Sequence, residues 1–314
     1  MRFALSILRT LSALMISVTL LMFANSMFST LLALRANIEN YSNEMVGLMT
    51  SAYFFGFALG TFQSGPLINR IGHIRTFAAL SAIAAASAMM VLIIPDPWAW
   101  VALRAIMGAA SAGLFVVVES WLNNRATNNS RGILLSIYIV IGYTASAVGQ
   151  QAIKFGDPAS FGLFLLVGIV LVLSLVPVSL TRVTHPDPVD KPLLNIRTLF
   201  SISPTSVMGC LVAGLISSSW WGLGPVYAQE IGLTVAQISS FMTAGLIGGM
   251  VLQIPIGRLS DRRDRRLVLF GVTVSLGVPA VMLVFSELLP AWALLVSAGA
   301  FFGLSSTLYP LSVA

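Results

Sequence analysis

The stretch Gly65-Pro66-Leu67-Ile68-Asn69-Arg70-Ile71-Gly72-His73-Ile74-Arg75 is echoed 192 residues later by Gly257-Arg258-Leu259-Ser260-Asp261-Arg262-Arg263-Asp264-Arg265-Arg266. Each copy closes one long apolar run and opens the next. The same offset pairs Ala52 with Ala244, Gly56 with Gly248, Leu67 with Leu259 and Arg70 with Arg262. Agreement inside the preceding helix, and not only in the loop, marks an internal duplication. Two similar membrane bundles, each with a basic hairpin at the same depth, suit alternating access around a central site.

Composition sets the class. Of 314 residues, 57% are hydrophobic and 9% charged, and mean hydropathy is +0.92. Such a chain has too few charges to cover a soluble surface. Apolar runs near the ~20 residues that cross a bilayer recur throughout. They place helices at 11–34, 45–67, 76–94, 98–122, 132–152, 160–180, 205–228, 236–256, 267–286 and 291–313. The expectation is an all-α integral membrane protein of ten spans.

The basic residues orient it. The first span follows Arg2 and Arg9, exceeds a signal-peptide core and lacks a small-residue cleavage site, so it reads as a retained anchor with a cytoplasmic N-terminus. On that reading 14 of the 17 Lys and Arg face the cytoplasm, Arg35 and Lys154 lie outside, and Arg104 stays within a span. That bias is the positive-inside pattern, and it places the chain, multi-pass, in a bacterial inner (plasma) membrane. The net charge of +6 does not point to nucleic acid. The basic residues sit in short loops, where anionic lipid headgroups account for them.

Residues 182–204 break the apolar pattern with His185-Pro186-Asp187-Pro188 and Lys191-Pro192. They read as a cytoplasmic linker. It divides the chain into a six-helix bundle over 1–181 and a bundle of four spans over 205–314. Cys210 is alone, so it supports neither a disulfide nor a metal site. His73 and His185 both fall in loops, and no buried acidic pair occurs, so the convergent groups of a membrane-embedded enzyme are absent. No phosphate-cradling loop is present for ATP coupling. No catalytic residue, metal, cofactor or obligate protein partner is expected.

The first hairpin resembles the signature loop of the major facilitator superfamily, Gly-x-Leu-Ala-Asp-Arg-x-Gly-Arg-Lys. Gly65, Leu67, Arg70, Gly72 and Arg75 match it, while Asn69 stands in the place of the aspartate. The second hairpin keeps Gly257, Leu259, Asp261, Arg262, Arg265 and Arg266, with Asp264 replacing glycine. Arg104 to Gly108 is similar to the family's Arg-x-x-x-Gly element. Val116-Val117-Val118-Glu119-Ser120, Gly149-Gln150 and Leu308-Tyr309-Pro310 resemble the YcaD-like bacterial permeases. The resemblance implies a transporter of a small solute, facilitative or coupled to protons, built of two six-helix bundles. By that measure the chain is expected to be truncated, stopping about two helices short. The Gly-Pro element of drug–proton antiporters is missing from span five, which has Gly142, Ser146 and Gly149.

Charge inside a membrane is costly, roughly 2.5–3.5 kcal/mol at a helix centre, and only Arg104 and Glu119 qualify. Arg104 is read as a substrate or coupling residue, its fork suited to an anionic group. Glu119, 15 residues on and near the inner face, is expected to pair with Arg70 or Arg75 as a gate. Asn25, Tyr53, Gln150, Trp220, Trp221 and Tyr309 are the polar and aromatic candidates for a solute cavity. Gly65, Asn69, Arg70, Gly72, Arg75, Gly257, Asp261 and Arg262 form the signature loops. The rival readings are an inactive or interaction-only membrane protein and, less favoured, a membrane enzyme.

Overall fold

A computed structural model describes residues 2–125, 131–180 and 200–313, and every regular element among them is helical. The helices are α1 (Arg2–Ile38), α2 (Asn43–Ile71), α3 (His73–Ile93), α4 (Pro97–Arg125), α5 (Arg131–Ala152), α6 (Gly162–Leu173), α7 (Leu175–Ser179), α8 (Pro204–Glu230), α9 (Val235–Arg262), α10 (Arg265–Val284) and α11 (Ala291–Val313), with short 3-10 turns at Ile153–Phe155 and Ser286–Leu288. Nine stretches among the described residues are long and apolar enough to cross a membrane, α6 and α7 counting as one. Helix α5, 22 residues long, occupies the fifth expected span.

The repeat is written into the caps. Helix α1 ends on Asn40 in the left-handed region (φ 58), and α8 ends on Gly232 (φ 79), 192 residues on. Both ends close the same way: Tyr41 N–H reaches Ala36 O and Leu233 N–H reaches Ala228 O, the Schellman arrangement that satisfies orphan carbonyls. Two residues after each, Ser42 and Thr234 cap α2 and α9, the second in a full capping box with Gln237. At the hairpins the copies diverge. Gly72 turns α2 into α3 with φ 84. Asp264, at the matching place, instead accepts from Arg266 N at 2.8 Å and caps α10. A carboxylate at a helix start does by hydrogen bonding what glycine does by conformational freedom.

Small residues bring the central helices into backbone contact. A Cβ on Gly56 would meet Ala105 O at 1.9 Å, and one on Gly108 would meet Tyr53 O at 2.0 Å, so α2 and α4 touch along their length. In the second unit a Cβ on Gly248 would meet Gly299 O, also at 1.9 Å, which fixes α9 against α11.

By contact the chain divides into two units. One comprises Met1–Gly149 with Phe155–Pro192, the other Gln150–Lys154 with Leu193–Ala314. The end of α5 thus belongs to the second unit, where Gln151 Nε2 donates to Thr243 Oγ1 at 2.6 Å and Lys154 Nζ to Ser240 Oγ at 3.0 Å. Most of the expected 182–204 linker lies outside the described residues. In its last part 200–202 are helical and Ser203 caps α8.

Two span boundaries differ from expectation for identifiable reasons. Helix α1 continues to Ile38 because Arg35 pairs with Glu39 one turn on (2.6 Å) and donates to Ala159 O. The sixth span breaks at Ser174, because Pro177 leaves the Leu173 carbonyl without its usual donor. There Ser81 and Ser174 both donate to Leu171 O, at 2.5 and 2.6 Å.

Candidate functional site

Helix α4 carries Arg104 into the first unit, where it is only 5% exposed. Its guanidinium lies 4.4 Å from the centroid of the Tyr53 ring on α2 and 5.7 Å from that of Phe28 on α1. The close approach of α2 and α4 at Gly108 brings the Tyr53 ring within reach. Asn25 Nδ2 donates to Tyr53 Oη at 3.2 Å, fixing the ring from α1. Phe28 is held edge-on by Phe164 of α6, with centroids 6.2 Å apart. No carboxylate lies within 4.0 Å of Arg104 among the described residues, and its Nε is buried without a hydrogen-bond partner. Two aromatic faces contribute about 2 kcal/mol each at best in a desolvated site. They offset much of the insertion cost and leave the fork of donors available to a ligand.

The second unit has a different centre. Trp220 of α8 is 3% exposed and stacks on Phe241 (5.2 Å, 25° between planes) and against Phe302 (5.3 Å). Gly245 makes space for it, since a Cβ there would meet the indole at 2.3 Å. The indole Nε1–H is buried and has no acceptor. Trp221 meets Phe302 edge-on at 5.8 Å. Gln150 is fully buried and belongs to the second unit. Tyr309 is 59% exposed and joins neither centre.

The structure therefore brings Arg104, Tyr53 and Asn25 together, and it sets Trp220 and Trp221 in a separate aromatic cluster. Phe28 was missed by sequence reasoning, although it stands 192 residues before Trp220 and the repeat alone marks that register. The signature loops sit at the helix ends. Gly65 is buried, while Asn69, Arg70, Arg75, Asp261 and Arg262 are exposed and Gly257 has open space around it. Glu119 has Tyr138 of α5 as its electrostatic neighbour. It makes no ion pair with Arg70 or Arg75 here: among the described residues the one ion pair within 4.0 Å is Arg35–Glu39. Tyr138 escaped the sequence reading because apolar neighbours in span five hid it.

Comparison with known proteins decides the lineage. The model of the Major Facilitator Superfamily matches residues 14–314. The chain belongs to that superfamily. It is 33% identical over 315 residues to an uncharacterized MFS-type transporter of Enterobacter sp. (strain 638), and 31% identical over 310 residues to the uncharacterized MFS-type transporter YcaD of Salmonella arizonae. Each alignment covers 98% of this chain and 79% of the relative. Among solved structures it resembles the nucleoside transporter NupG (TM-score 0.78, 13% identity, 96% of this chain and 80% of that one). It also resembles a D-xylose–proton symporter (TM-score 0.67, 16% identity, 97% and 80%). At such identities these two speak for the fold. As a member of the superfamily the chain is an integral membrane transporter.

Proposed function

We propose that this transporter moves a small solute by alternating access in a bacterial inner membrane, N-terminus inside, with a proton gradient as its drive. The observation that carries the substrate side of this reading is the buried guanidinium of Arg104, which has two aromatic faces but no anion within 4.0 Å among the described residues. An acidic or strongly accepting group on the solute would complete it, through the planar fork that lysine lacks. The nucleoside and xylose carriers resemble this chain in fold only, and neither solute class is carried over.

Flux into proteoliposomes tests the reading. Arg104→Gln at normal expression should lose uptake and Arg104→Lys should impair it, while Arg35→Gln should not. Unchanged uptake in Arg104→Gln would assign the residue to packing. Collapse of an imposed pH gradient should abolish accumulation. Orientation is read separately: Asp187→Cys, in a Cys210→Ser background, should react only from the cytoplasmic side.

The gate reading also stands as a proposal. Glu119 exchanges its Tyr138 neighbour for Arg70 or Arg75 in another state of the cycle. A double-mutant cycle on Glu119→Gln with Arg70→Gln or Arg75→Gln, read by cysteine accessibility, should show non-additivity. Additive effects in both pairings would remove the gate.

A further inference from the structure

The two hairpins differ in what lies beneath them. In the second unit an open cavity of about 210 Å³ is lined by Gln253, Gly257, Ser260, Asp261, Arg265 and Thr307, among others. The first unit carries different residues at the same register. Ile68 stands 192 residues before Ser260, and His73 stands 192 before Arg265. Both are buried there, with the His73 ring stacked on Trp121 at 5.6 Å between centroids. Thr61, the counterpart of Gln253, donates its hydroxyl hydrogen to Phe57 O of its own helix at 2.9 Å. Gln253 instead keeps a side-chain oxygen, Oε1, that is buried and has no hydrogen-bond partner. Leaving such an atom unsatisfied costs its desolvation without return. A polar lining with an unmet acceptor, where the sister unit buries Ile68 and His73, points to a ligand that brings a donor.

Two opposite charges share this cavity. Asp261 comes from the end of α9 and Arg265 from the start of α10, and both line it. They do not close on each other: among the described residues the one ion pair within 4.0 Å is Arg35–Glu39. We propose that the cavity binds a small zwitterion, with its primary ammonium on Asp261 and its anionic group on Arg265. A lone anion would meet the Asp261 carboxylate and a lone cation the Arg265 guanidinium, so each half of the ligand needs the other. The guanidinium fork suits a carboxylate or a phosphate. The ammonium is primary because a quaternary one has no N–H to give Gln253 Oε1. The volume is below the roughly 300–1,000 Å³ of pockets for drug-sized ligands, so the ligand is small. A free amino-acid-like solute and the headgroup of phosphatidylethanolamine share this chemistry. The cavity belongs to the second unit and Arg104 to the first, so the site lies beyond the transport reading.

The test needs no transported substrate. Gly257→Cys, in a Cys210→Ser background, puts a thiol on the cavity wall at a position where a Cβ meets nothing within 4 Å. In phosphatidylcholine bilayers, O-phosphoethanolamine or glycine should slow its modification by N-ethylmaleimide several-fold. Inorganic phosphate, acetate and ethanolamine, each half a zwitterion, should leave the rate unchanged at the same concentration, as should phosphocholine. Asp261→Asn and Arg265→Gln should each abolish the protection. Bilayers containing phosphatidylethanolamine distinguish the sources: slow modification without added solute identifies the lipid headgroup, and fast modification identifies the free solute. Equal protection by phosphate or ethanolamine alone, protection that survives both substitutions, or protection from neither source would overturn the proposal. Should Gly257→Cys fail to accumulate or to react, the unfolding midpoint of the unsubstituted chain decides: it should rise with the zwitterions and not with their halves.

Discussion

The two units share a frame and differ at its centre. In both, a glycine of the second helix touches the backbone of the fourth: Gly56 at Ala105 and Gly248 at Gly299. The residue just before each contact carries the difference. In the first unit it is Arg104, resting on Tyr53; in the second it is Ala298, fully buried. Where the first unit has Tyr53 the second has Gly245, and where the first has Phe28 the second has the larger Trp220, which enters the space that glycine leaves. A duplicated scaffold has thus kept its backbone seams and exchanged a cation held by rings for rings alone. Duplication conserves what backbone approach requires and frees what only side chains decide.

The seams give the largest expected effect. Gly56→Ala and Gly248→Ala each push a methyl group into a carbonyl that cannot move aside, and each should cost about 3 kcal/mol. Thermal unfolding in detergent should show similar losses for the two, and tolerance of either would show that the seams are not equivalent. Next comes Gly245→Ala, which displaces the indole and should cost about 2 kcal/mol. Trp220→Phe should relieve most of that loss in the double variant, because the smaller ring retreats from position 245. If the pair is additive, Gly245 does not accommodate Trp220. Arg104→Gln should lower uptake about tenfold or more, equivalent to about 1.4 kcal/mol, with unfolding little changed. In the Arg104→Gln background the matching change Ala298→Arg should fail to restore uptake, because Gly245 stands where the first unit has Tyr53. The smallest effect belongs to Arg35→Ala, about 0.5 kcal/mol, since its pair with Glu39 is a partly solvated contact one turn apart.

Much of this was legible beforehand because it is periodic or costly. Apolar runs set the helices, and the 192-residue echo set the duplication. A lone arginine in a span marked itself by its insertion cost. The echo even contained the pairing of Phe28 with Trp220, although aromatic residues in apolar helices are too common to single out unaided. Glu119 was recognised, but its neighbour Tyr138 was not. Depth along a helix can be read from residue counts; azimuth around a bundle cannot.

By itself the sequence determined the class, the helices and the repeat, because hydropathy, small residues and turn chemistry act over short distances along the chain. Only the tertiary structure decided that Arg104 lies on two rings, that Trp220 fills the space at Gly245, and that His73 is buried on Trp121 and Ser120 instead of standing in a solvated loop. Those contacts join residues separated by tens of positions. They depend on how closely glycine lets two backbones approach and on which way each helix is rotated, and neither is encoded in local pattern.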